Sequence, residues 1–84
     1  MLERTVYPII DEHGDKSSIT LDKIVADVLQ AHLPDVHAFV QSTYNLATQK
    51  YPDFGRIKKG DLVRAHAEKE AKKHPEYQDL VSNG

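Results

Sequence analysis

Between Thr20 and Ala47 apolar residues recur at intervals of three and four, and Pro34 stands in the middle of the run. That pairing of pattern and breaker constrains the fold more than any other feature of the chain. The spacing sets Leu21, Ile24, Val25, Val28 and Leu29 on one helical face, and Val36, Phe39, Val40, Thr43, Tyr44 and Ala47 on another. Proline lacks an N–H and clashes with the preceding turn, so Pro34 ends the first helix and suits the first turn of the second, with Asp35 at the positive end of its dipole. Thr20 suits an N-cap, and Ile19 and Ile24 occupy the positions of a hydrophobic staple. Helices are therefore expected near 20–32 and 35–50.

A third helix is expected near 60–74, starting at Asp61 after Gly60 and stopping before Pro75. Its apolar stripe is thin: Val63, Ala67 and Ala71, with Leu62 beside them. Residues 75–84 read as a short terminal turn, holding a small cluster of Tyr77, Leu80 and Val81, and a frayed tail. At the other end, RTVYPII has β-branched and aromatic content, which predicts a strand within 4–10, held at an edge because Pro8 cannot donate to a ladder. DEHGDKSS follows as a turn around Gly14, and a short second strand at Ser18–Thr20 would complete a hairpin.

The expected fold is thus mostly α: a short N-terminal strand or hairpin followed by three helices, a small α+β domain spanning 1–84. Residues 1–19 form its strand and turn, 20–74 its core. A chain of 84 residues buries only about 60% of its unfolded surface, so stability is thin. The edge strand and the narrow alanine stripe together predict a homodimer.

Several chemistries lack their residues. There is no cysteine, hence no disulfide, thiolate site or cysteine nucleophile. Counted as a calcium loop from Asp11, the segment has Lys16 where glycine is required. His13 has no histidine close by, and His32, His37, His66 and His74 form no local ligand pair, so no metal is expected. Asp11, Glu12, His13 and Asp15 are expected to be exposed turn residues. Ser17, Ser18, Ser42 and Ser82 lack a glycine-flanked elbow, and no glycine-rich loop could cradle a phosphate, so neither enzymatic activity nor a cofactor is expected. No run approaches the 18 or so apolar residues of a membrane span, and the first residues are not a signal peptide, which predicts a cytoplasmic protein without a membrane partner.

Charge supplies the remaining signal. The formal net charge of −2 conceals a division: residues 1–50 hold seven acids and four bases, residues 51–75 four acids and seven bases. Arg56, Lys58, Lys59, Arg64, Lys69, Lys72 and Lys73 make the second segment basic, a pattern suited to phosphates. Asp61, Glu68 and Glu70 interrupt it and stand at spacings where ion pairs support a solvated helix. Two functions follow as expectations. The first is a small nucleic-acid-binding regulator contacting DNA through 56–73. The second is a protein-interaction module, an adaptor or a small inhibitor from a mobile element, docking through the acidic half or through the strand at Arg4, Val6, Tyr7 and Ile9. SITLDKIVADVLQAH is similar to the opening of helix-turn-helix domains. The ten-residue gap before it, Pro8 and the absence of a basic alternating ribbon separate the chain from ribbon-helix-helix repressors, and no family is assigned.

Overall fold

The computed structural model describes residues 3–83, in the order β1 (Arg4–Ile10), β2 (Lys16–Asp22), α1 (Lys23–His32), α2 (Val36–Lys50), α3 (Arg56–Ala71) and α4 (Pro75–Asn83). The strands form one antiparallel hairpin with Tyr7 opposite Ile19 and Ile9 opposite Ser17. Alternation along each strand sends Tyr7, Ile9, Ile19 and Leu21 inward and Val6, Pro8 and Ile10 outward. The helices cover the inner face.

The hairpin turn forms as its composition dictates. The Asp11 carboxylate accepts the backbone N–H groups of His13 and Asp15, both at 2.9 Å, and Gly14 takes φ +83°, a conformation open to glycine at little cost. The break at Pro34 is also where the sequence places it. Asp35 caps α2, its carboxylate accepting the Ala38 N–H at 3.0 Å. The stripes of Val25, Val28 and Leu29, of Val36, Val40, Tyr44 and Ala47, and of Val63, Ala67 and Ala71 are all buried.

Four boundaries differ from expectation. β2 runs through Asp22, so Thr20 is a strand residue rather than an N-cap and Leu21 belongs to the sheet's inner face. Its pairing with β1 supplies ladder bonds that an early start of α1 would forfeit. Helix α3 opens at Arg56, not near 60, with Gly60 buried inside it; tertiary packing of Lys59 and Val63 outweighs a glycine's cost of about 1 kcal/mol in a helix. Helix α3 ends at Ala71, three residues earlier than expected. The terminal turn is a nine-residue helix, α4, making four helices instead of three. Pro75 opens it, as proline can at a first turn, and Tyr77 packs against the core.

The alanine stripe of α3 does not await a second subunit. Val63, Ala67 and Ala71 are enclosed by this chain's own elements, because small side chains let α3 approach them closely. One of the two reasons for expecting a dimer is thereby removed.

Candidate functional site

Five of the seven basic residues of 56–73 lie around α3, and Lys72 and Lys73 follow its last residue. Lys59 points inward: 2% exposed, its ammonium lies 2.8 Å from the Glu12 carboxylate, so it is withdrawn from the surface where phosphates would be met. Arg64 pairs with Asp61 within α3, and Lys72 and Lys73, just past its C-terminus, reach back to Glu68 and Glu70. Among the described residues, Arg56, Lys58 and Lys69 have no carboxylate partner. Lys58 sits 5.2 Å from the centre of the Phe54 ring, which itself stacks on Tyr51 at 4.9 Å.

The turn is exposed at His13 and Asp15, as expected, but Asp11 is half-buried, and Glu12, exposed as a residue, turns its carboxylate toward the core. Its side chain is 26% exposed and, besides Lys59, accepts the Tyr44 hydroxyl at 3.0 Å and the Thr48 hydroxyl at 3.3 Å. The hydrogen bond from Lys59 is the main force holding the Glu12 carboxyl down to about 2, against desolvation and with help from Tyr44. Burial first, then the bond to Glu12, pushes the Tyr44 hydroxyl up to about 12. One residue of the hairpin turn is thus fixed to α2 and α3 together. Among the described residues no buried side-chain polar atom is left without a hydrogen-bond partner, so the cluster braces the fold.

The two edges of the hairpin differ. Even-numbered residues of β1 turn their backbone groups away from β2, and α2 meets them with side chains. Gln41 accepts the Ile10 N–H at 2.8 Å and donates to the Ile10 carbonyl at 2.9 Å, so its amide bonds as a neighbouring strand residue would. The His37 ring N–H donates to the Pro8 carbonyl. Proline has no N–H to leave exposed, so β1 is closed from Pro8 to Ile10. This corrects the expectation of an open edge there. It also turns Tyr7 and Ile9 inward, out of reach of any partner, while Arg4 and Val6 stay exposed.

On β2 the register directs the backbone groups of Ser18 and Thr20 outward in the same way, and no residue among those described bonds to them. Beside this edge runs α3. Two cavities lie between them, one of about 150 Å³ lined by Ser18, Ile19, Arg56, Ile57, Gly60 and Arg64. The other, about 170 Å³, is lined by Arg4, Leu21, Asp22, Val25, Arg64 and Glu68.

The histidines also come together in ways their spacing hid. His32 and His74 stack at 3.8 Å, and His32 bonds Glu76 at 2.6 Å, tying the end of α1 to the start of α4. Among the described residues no group of three or more potential ligands is placed to hold a metal ion, and no helix is long and apolar enough to cross a membrane. No family model, curated protein or solved structure matches the chain.

Proposed function

We propose that the chain is a non-enzymatic protein-interaction module that takes an extended segment of a partner as a third strand on β2. The observation that carries this reading is the asymmetry of the hairpin toward its turn: β1 is closed at Pro8 and Ile10 by His37 and Gln41, whereas β2 presents the N–H and C=O groups of Ser18 and Thr20 without a partner among the described residues. Unpaired strand edges recruit strands, and main-chain hydrogen bonds supply the affinity in such recognition. The Glu12 cluster holds the hairpin rigid against α2 and α3, so little ordering is needed when a strand is added. A second copy of the chain carries the same edge, and two β2 strands paired about a two-fold axis would form a homodimer through the same bonds.

Titration of the labelled protein with nine-residue peptides of alternating threonine and valine tests this. The Ser18 and Thr20 amide protons should shift and exchange more slowly, while those of Tyr7 and Ile9, already bonded within the hairpin, change little. Ser18→Pro removes an outward donor without breaking the ladder and should abolish the effect. Unchanged Ser18 and Thr20 signals at saturating peptide would refute strand addition.

A second reading, nucleic-acid binding, is favoured by the corner where Lys58, without a carboxylate partner among the described residues, lies over Phe54, which stacks on Tyr51. Each phosphate contact on duplex DNA contributes a slope of about −0.9 in log affinity against log salt. Arg56, Lys58 and Lys69 together would give about −2.7, and Lys58→Ala should return roughly 0.9 of it. A slope near zero would remove this reading.

A further inference from the structure

The two cavities beside β2 are set out along the strand, the first at Ser18 and Ile19, the second at Leu21 and Asp22. Side chains on one face of a strand recur every second residue, about 6.6 Å apart. A strand added to β2 would direct alternate side chains to the inner side, alongside Ile19 and Leu21, and two consecutive ones would fall one into each cavity. Arg64 lines both and forms the wall between them.

Their chemistry differs. The first cavity has two guanidinium groups, Arg56 and Arg64, and no carboxylate in its lining. Arg56 has no ion-pair partner among the described residues, and Arg64 spends one of its five donors on Asp61. Gly60 lines the same cavity without a side chain; a Cβ there would meet the Arg64 guanidinium at 3.5 Å, an ordinary contact. The second cavity has buried Leu21 and Val25 for its apolar part, and its charges, Arg4 and Arg64 against Asp22 and Glu68, balance.

Resting on the strand-addition reading, we infer that the partner is an acidic extended segment: a glutamate or aspartate enters the cavity between Arg56 and Arg64, and an aliphatic side chain two residues away enters the one floored by Leu21 and Val25. The carboxylate receives charge-assisted bonds from two guanidinium groups, which neither an amide nor an ammonium can reproduce. The backbone provides affinity and the arginines select the sequence.

The experiment uses three versions of the threonine–valine peptide, with valine at the odd positions and the central one replaced by glutamate, glutamine or lysine, titrated into the full chain. The glutamate peptide should bind about tenfold more tightly than the glutamine peptide, and the lysine peptide should fail to bind. Arg56→Ala with Arg64→Ala should bring the glutamate and glutamine peptides within about twofold while Ser18 and Thr20 still respond; Arg56→Glu with Arg64→Glu should favour the lysine peptide. Equal binding of all three peptides with responding Ser18 and Thr20 would overturn acidic selection and leave strand addition standing. Silence of Ser18 and Thr20 with every peptide would overturn both.

Discussion

Lys59→Ala should destabilise the protein by about 3 kcal/mol, within the range for truncating a long, fully buried side chain. For a domain of this size that lowers the melting temperature by on the order of 15 °C. The loss has two origins. The packed aliphatic stem of a residue only 2% exposed disappears, and Glu12 loses its strongest hydrogen bond. Lys59→Met keeps most of the stem, and Glu12 retains Tyr44 and Thr48, so it should cost less than half as much. Equal losses in the two variants would show that charge dominates. A change below about 0.5 kcal/mol for Lys59→Ala would show the pair to be inert.

The same cluster dictates a pH dependence. Glu12 has an ordinary value of 4.5 and is held at about 2 in the fold, so its contribution is complete above 4.5 and drains away as pH falls toward 2. Tyr44 moves the other way, from 10.0 to about 12, so its contribution is complete below 10 and is lost as pH rises toward 12. Unfolding measured across pH should show both shoulders, and Lys59→Ala should flatten the acid one.

The second large effect is expected at Leu29→Ala, about 3–4 kcal/mol from lost transfer energy and the cavity left behind. Leu29 is 0% exposed in α1, in the cluster that also holds Ile9, Leu21, Val40 and Val63, so sheet and helices lose a shared neighbour. Ile57→Ala provides the contrast. At 78% exposure it packs against little and should stay within about 0.5 kcal/mol of the parent. Denaturant midpoints of the two variants decide the matter: a Leu29→Ala midpoint close to the parent's would mean that the core is not organised around α1.

What could be read from the chain beforehand follows physical range. The Pro34 break, the Asp35 cap, the Gly14 turn and the three stripes depend on neighbours within a helical turn, and the residues state them directly. Ile19 and Leu21 fit a strand by their spacing of two and a helix by their relation to Ile24 and Val25; the arbiter is β1, whose Tyr7 and Thr5 pair with them from twelve and more residues away. Gly60 looks like a boundary because its own propensity is poor, and it is helical because Lys59 and Val63 on either side are anchored. Pro75 was legible as a stop but equally carried the signal of a start, with Glu76 behind it in the first turn of α4. Glu12 could not be singled out within a polar turn, since its partners lie 32, 36 and 47 positions away. The edge asymmetry was hidden for the same reason, as Gln41 and His37 sit on faces of α2 that look merely polar.

The bonds of His37 to Pro8 and of Gln41 to Ile10 also tie the one-turn spacing of two polar residues on α2 to the two-residue spacing of an outward strand edge. A residue gained or lost between His37 and Gln41 would turn one side chain relative to the other by roughly 100° about α2 and shift it about 1.5 Å along the axis, so that Pro8 and Ile10 could no longer be met together. A residue added to the α1–α2 connection leaves that spacing intact, because Val40, Tyr44 and Ala47 hold the phase of α2 from within the core. Length changes should therefore be tolerated before Pro34 and not between His37 and Gln41.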